Sequence, residues 1–347
     1  MTAQQILNAE TATRAHPLKP PFHWLRAIAA GALLTLTGCG NTPDAQGGKP
    51  VLNVGDQLEF FRTTLESANQ AKPDDYTIKW ANFVGGPAII AAQTGGSIDV
   101  GWMAETPLIF AQAAGSPVKV VGVSKAASSD GYGYALVVKA DSPIRSVKDL
   151  KGRSVAYMRG TVLHYMIARV LEREGLSLKD IKSIQATSFG SGLLDQGAAD
   201  AITLAEPHLT RLLEEGKVRV IATGAAPVTE GLNYLVASDA ALADPKKAKA
   251  IGDLVTRATR SYLWQNAHAA EAAPYLAKVY KIDPKLAQTV IERSPSVFVP
   301  IDETVIAAHQ SEANLFQKIG LVRVRLDAGK IFDPRFNALV AQVEPNP

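Results

Sequence analysis

Two carboxylates recur in the same setting along this chain. In "GSIDVGWMAETPLIF" and again in "GAADAITLAEPHLTRLL", a glycine (Gly96, Gly197) leads to an aspartate (Asp99, Asp200) and an apolar run. A glutamate (Glu105, Glu206) and a proline (Pro107, Pro207) follow, and the proline opens a helical pattern. The two segments read as one structural unit used twice. Carboxylates at such places can serve acid or base chemistry, but no nucleophile and base pair stands with them in the sequence. The plainer reading is a strand-to-helix turn, because proline is tolerated in a first helical turn and an acid there is favoured by the helix dipole.

A second set of residues suits the capture of an anion. Glycine-rich turns open helical patterns at "FVGGPAII" and "MRGTVLHYM", one before each glutamate turn. Gly85, Gly86 and Gly160 let a ligand approach the backbone, and Thr106 and Thr161 add hydroxyl donors. Helix N-termini with such donors hold a fixed anion without a counter-charge. We expect Gly160, Thr161 and Val162 to face Gly85, Gly86 and Thr106 across a cleft, with Gln57 lining it and Ala205 on the opposing wall. A glutamate about 4 Å from that anion would cost roughly 4 kcal/mol at an effective dielectric of 20. Glu105 must therefore point away, or meet a cationic group on the ligand.

Alternating strand and helix patterns position these turns. β-rich runs at 51–55, 76–80, 98–102 and 118–123 are separated by helical patterns at about 59–70, 87–95 and 107–114. A long strand is expected over 132–140. A second array follows, with strands at 154–158, 181–186, 201–205 and 218–223 and helices at about 162–174, 191–196 and 207–215. After a strand at 233–238 the pattern is helical to the end, strongest at about 246–266 and 302–318. In open α/β sheets ligands sit outside the carboxyl ends of the strands, where both glutamate turns fall.

The 347 residues allow roughly two domains, and 47% hydrophobic with 20% charged residues is ordinary globular composition. A net charge of +3 with no basic run does not suit nucleic acid. Basic residues Arg14, Lys19 and Arg26 precede the short apolar stretch "AIAAGALLTLTG" and then Cys39. That stretch is too short for a membrane span and fits a signal-peptide core. Residues 1–38 are expected to be removed and 39–50 to form a flexible tether. Cys39 is the single cysteine, so the folded part holds no disulfide and no thiol nucleophile. His164, His208, His268 and His309 lack metal-site spacing, so neither metal nor cofactor is expected.

"LTGC" resembles the lipidation box of bacterial lipoproteins, with Cys39 as the acylated residue. "GSIDVGWMAETPLIFAQAAG", "VKADSPIRSVKDLKGRSVAYMRGTVLHYMIARVLEREGL" and "VFVPIDETVIAAHQSEANLFQKIGL" resemble the aliphatic sulfonate-binding proteins of bacterial ABC importers, within the wider group that binds nitrate, taurine and pyrimidine or thiamine precursors. The resemblance implies an α/β, type II periplasmic binding protein fold, with two lobes and a ligand cleft between them. Lobe 1 would comprise 51–132 plus 231–347 and lobe 2 133–230, with the strand at 132–140 and a return near 225–234 as crossovers. It also implies a periplasmic, lipid-anchored monomer that delivers a small anionic, sulfonate-like ligand to a permease and its ATPase subunit. Enzymes on this fold rely on cysteine chemistry that the mature chain lacks, so binding without turnover is expected. Where the resembling proteins commonly carry a tryptophan before Asp-Pro-Tyr, this chain has Ala205-Glu206-Pro207-His208, which removes an apolar wall; Trp102 is the candidate replacement, or else a core residue.

Overall fold

The computed structural model describes residues 48–127, 133–188 and 190–343. Cys39 and the expected leader lie outside them. Four strands come first, β1 (Val51–Gln57), β2 (Thr77–Phe83), β3 (Val100–Ala104) and β4 (Val118–Ala126). The chain then builds β5 (Tyr134–Lys139), β6 (Ser154–Tyr157), β7 (Lys182–Gln185), β8 (Ala201–Ala205) and β9 (Val218–Thr223), and returns for β10 (Asn233–Ser238) and β11 (Ser296–Val299).

Two sheets result, ordered β11-β4-β10-β3-β1-β2 and β7-β6-β8-β5-β9. β1 runs parallel to β2 and β3, and β6 runs parallel to β7 and β8. The first strand laid down after each change of lobe is an internal strand that runs against both of its neighbours. β5 sits antiparallel between β8 and β9, and β10 between β3 and β4. The expected long strand at 132–140 is therefore an internal strand of the second sheet, over Tyr134–Lys139. Alternation decides which face each side chain covers. In β10, Leu235 and Ala237 enter one core cluster, and Tyr234 and Val236 the other. In β5, Leu136 and Val138 separate in the same way from Ala135 and Val137. Sheets covered on both faces need near-continuous apolar strands, which these sequences supply.

The helical tail is not wholly helical. β11 adds "SVFV" antiparallel to β4 at the sheet edge. Four residues between two helices give too few alternations for a strand to be read. The two strong amphipathic runs are helices Pro245–Ala267 and Glu303–Lys318. Asp244 accepts N–H bonds from Lys246 and Lys247, and Asp302 from Thr304 and Val305, so each carboxylate satisfies orphan donors of a first turn.

The repeated unit is a repeated lock. Gly96 and Gly197 take left-handed conformations, at φ 76° and 72°, and turn the chain into β3 and β8. The Asp99 carboxylate then accepts the Asn53 N–H at 2.9 Å, and the Asp200 carboxylate accepts the Ser154 N–H at 2.8 Å, 46 residues back in both cases. Each aspartate thereby ties the start of one central strand to the start of its neighbour. Asp99 also holds Lys247 at 2.7 Å, which fastens the long helix of the first lobe. Stranding a partly buried N–H costs ~1–3 kcal/mol. Asp200→Ala should lose about that much in denaturant unfolding, and Asp99→Ala more, because Lys247 loses its partner as well. Equal and negligible losses would show that the locks contribute nothing.

Candidate functional site

The two sheets meet around a cavity of about 360 Å³. Gln57 at the end of β1, Ala104 at the end of β3 and Ala205 at the end of β8 all line it. It lies outside the carboxyl ends of the parallel strands, where the alternating array directs it. Of the expected residues, Gln57, Gly86, Thr161, Val162 and Ala205 line the cavity, whereas Gly85, Thr106 and Gly160 do not.

The helix Val162–Arg173 begins at this cavity. Thr161 precedes it in an extended conformation, φ −121° and ψ 171°, and its carbonyl accepts from the N–H groups of His164 and Tyr165. The first-turn N–H groups of Val162 and Leu163 have no acceptor within the helix, and both residues line the cavity. The Thr161 hydroxyl differs from expectation. It donates at 2.8 Å to the Met158 carbonyl and so holds the turn. Gly160 shapes the turn from behind, at φ 73°, and its N–H donates to His164 Nδ1 at 3.3 Å. Burial, with the Arg159 charge adding to it, lowers the His164 pKa to about 4, so the imidazole is neutral and its Nδ1 can accept. Sequence reasoning missed this role of His164, because an isolated histidine on a helix gives no signal of it.

On the facing wall the glycines and the threonine also act differently. A Cβ on Gly86 would lie 2.4 Å from Pro107 Cγ, so Gly86 is small because two helix starts pack there. Gly85 is extended at φ −169° and faces the Met158 side chain. Thr106 is fully buried, and its hydroxyl donates to the Glu312 carboxylate, away from the cavity. A partner 206 residues away is invisible to local spacing. Behind β1, Leu58 and Glu59 both hold left-handed backbone, at φ 59° and 61°. The buried Asp56 carboxylate steadies that turn by accepting the N–H groups of Phe61 and Arg62. Non-glycine residues in this region cost about 1 kcal/mol or more and persist where the surroundings enforce them; here they bring Gln57, Leu58 and Phe60 to the cavity wall.

Other lining residues come from parts of the chain that carried no motif. Tyr262, Gln265 and Asn266 belong to the helix Pro245–Ala267, Tyr280 ends the helix Ala269–Tyr280, and Lys125 and Glu230 are exposed. Trp102 is both core and wall. It is 4% exposed, stacks on Phe61 at 5.0 Å and Phe298 at 5.6 Å, and lines the cavity beside Tyr262. These two rings supply aromatic surface that Ala205 does not.

A two-lobed α/β chain with a helix N-terminus opening on its interlobe cavity can now be set beside known proteins. The model of the family described as "NMT1/THI5 like" matches residues 85–271, more than half of the chain. The chain belongs to the NMT1/THI5-like family. Within it, the chain is 31% identical to a protein of Escherichia coli (strain K12) named for binding aliphatic sulfonates, over 82% of this chain and 88% of that one. The alkanesulfonate-binding protein SsuA from Xanthomonas axonopodis pv. citri, solved bound to MOPS, superposes with a TM-score of 0.73 at 26% identity, covering 82% and 99% of the two chains. The periplasmic aliphatic sulphonate binding protein SsuA from Escherichia coli gives 0.71 at 25%, covering 86% and 96%. The fold is that of the periplasmic binding proteins.

In this family member the two recurring glutamates have parted company. Glu206 accepts from the Thr210 N–H at 3.0 Å and hydroxyl at 2.8 Å, with Arg293 3.6 Å away. Glu105 is 3% exposed, and one of its oxygens has no hydrogen-bond partner among the described residues. Burial, with the charge of Glu230 adding to it, pushes the Glu105 carboxyl up to about 8, and burial beside Glu105 raises Glu312 well above the carboxylate range. Glu105 is thus mostly protonated at neutral pH, which removes the conflict with a nearby anion.

The sign of the resulting pH dependence is fixed. Between the ordinary value of 4.5 and about 8, the folded chain binds a proton at Glu105 that the unfolded chain does not. Stability from this group is complete below about 4.5 and lost as the pH rises through about 8. Glu105→Gln, which keeps the shape without the titration, should flatten the fall in melting temperature across that range. An unchanged pH profile would show that Glu105 is ionised in the native protein.

Proposed function

We propose that the chain is the periplasmic substrate-binding component of an ABC importer and that its ligand is a small organic sulfonate. Residues 51–132 with 231–347, and residues 133–230, act as lobes that close on the ligand. A monomer then passes the ligand to a permease served by an ATPase subunit. The observation that carries this reading is the open N-terminus of the helix Val162–Arg173 at the cavity, with its uncommitted first-turn N–H groups. A sulfonate remains singly charged throughout the physiological range, so neutral N–H donors and a helix dipole suffice to hold it. The two SsuA proteins and the sulfonates-binding relative support the same class of ligand. An ammonium-bearing ligand is less well served, since of the lining carboxylates Glu206 is held by Thr210 and Arg293, and Glu230 is exposed. Among the described residues that line the cavity none forms a nucleophile and base pair, and saturable binding without turnover is the expected activity.

Melting curves with sulfonates, nitrate and pyrimidines test the ligand class. A site filled at a hundredfold excess over Kd gains about 2.7 kcal/mol, and stabilisation by pyrimidines alone would refute the sulfonate reading. The hook itself is testable because proline is tolerated at a helix start and demands an extended residue before it, which Thr161 already is. Val162→Pro should keep the fold but delete one N–H, weakening sulfonate binding about ten- to a hundredfold, for a hydrogen bond to a charged group of ~1.5–3 kcal/mol. Thr161→Ala should change affinity little, because its hydroxyl serves Met158. The reverse order in calorimetry would place the anion on the hydroxyl.

We also propose that Cys39 is lipidated and anchors the protein to a membrane, with each buried acyl methylene contributing about 0.8 kcal/mol. Detergent phase partitioning should move from the membrane fraction to the soluble fraction in Cys39→Ala. A variant retained on membranes as firmly as the wild type would exclude this anchor.

A further inference from the structure

Several polar side chains along the cavity are already committed. Thr229 donates to the Gly224 carbonyl at 2.7 Å, Asn266 to Ser296 at 2.8 Å, Tyr280 to Leu58 at 3.0 Å and Ser294 to Val290 at 3.0 Å. Gln265 is different. It is 8% exposed and lines the cavity, and its Oε1 has no hydrogen-bond partner among the described residues. Among the described residues, no other buried, unpartnered side-chain atom belongs to a residue that lines this cavity.

Its surroundings sharpen what the atom awaits. Gln265 lies one helical turn from Tyr262, and Tyr262 packs on Trp102 at 5.6 Å, so the amide interrupts an otherwise aromatic wall. The Oε1 is already closed off from water in the structure, so a purely apolar ligand tail would leave it without a donor, whereas a donor on the ligand would satisfy it. A cationic donor would need a carboxylate beside it, and neither Glu206 nor Glu230 is both buried and uncommitted. A neutral donor meets both conditions.

We propose that Gln265 is a specificity residue that accepts a hydrogen bond from an uncharged donor, a hydroxyl or amide N–H, on the organic part of the ligand. The preferred ligand is therefore a functionalised sulfonate and not a plain alkanesulfonate. This inference rests on the sulfonate reading given above and narrows it. Sites built to hydrogen-bond a ligand hydroxyl discriminate against analogues that lack it, because the protein group is then left unpaired.

The test is calorimetry on the full chain with ω-hydroxyalkanesulfonates of increasing length, each compared with the alkanesulfonate and the ω-methoxyalkanesulfonate of the same length. The wild type should prefer the hydroxyl member at one or more lengths by about five- to tenfold, as one neutral hydrogen bond allows. Gln265→Met, close in shape, should erase that preference while holding the alkanesulfonate within about threefold. Gln265→Leu provides a second substitution, with melting curves confirming that each variant folds. Alkanesulfonates that bind as well as their hydroxyl partners at every length would overturn this inference and leave the sulfonate reading standing. A methoxy member that matches the hydroxyl one, or a preference that survives Gln265→Met, would also overturn it. Binding of none of the sulfonates would remove the sulfonate reading and this inference with it.

Discussion

Everything at the cleft depends on how closely two strand ends can approach. β3 ends in Ala104 and β8 in Ala205, and these small side chains form one apolar cluster with Val162 and Leu163, flanked by Leu58, Tyr134 and Met158. A larger residue at either alanine would hold the sheets apart and carry the helix N-terminus away from the opposite wall. Behind this contact a second cluster joins Tyr165 and Ala168 of one lobe to Ile109 and Phe316 of the other. Polar contacts close the flanks. Arg293 donates to Thr210 at 2.6 Å, and Lys318 meets Glu172 at 2.6 Å. The exposed Lys318 pair contributes little by itself, so the apolar seam sets the distance between the lobes.

That seam imposes a second condition, the suppression of charge. Glu105, Thr106 and Glu312 are buried where the start of the helix Thr106–Ala113 meets the helix Glu303–Lys318, beside Tyr234 and His309. Ionising two carboxylates so close together in an apolar surrounding costs more than holding their protons. His309 follows the same logic in reverse: burial pushes it down to about 3, so it too stays neutral. In the second lobe the equivalent glutamate keeps partners instead, through Thr210 and Arg293. The repeated turn thus carries a glutamate in both copies, with one oxygen unpartnered among the described residues in the first and with Thr210 and Arg293 as partners in the second.

The difference between what the sequence disclosed and what it concealed follows from the range of each interaction. The repeated turn and the glycine-led helix starts are local, and their spacing survives in the primary structure; Asp99 and Asp200 were legible as part of the repeat, but not as locks, because their partners lie 46 residues back. Thr106 was placed at the right helix start but given the wrong partner, because Glu312 arrives from a helix 206 residues on. Gly86 was read as room for a ligand, and it does line the cavity, but its missing Cβ also leaves room for Pro107, which local spacing does not reveal. Tyr262, Gln265 and Tyr280 lay hidden inside amphipathic helices, where the cavity face and the core face share one period. β11 escaped because four residues cannot show an alternation.

A cleft without a committed buried cation suits a ligand that never loses its charge. A lysine or arginine sunk beside the anion would bind more tightly, but would stand as an uncompensated buried charge whenever the site was empty. Helix N–H groups carry only a partial charge and are solvated readily in the open state, so the empty protein is not penalised in the same way. Among the described residues that line the cavity, the full positive charge is on Lys125, which is exposed. There it can attract an anion toward the mouth at little desolvation cost, while the uncharged donors inside, and the neutral Gln265 acceptor among the rings, leave selection to hydrogen-bond geometry and shape.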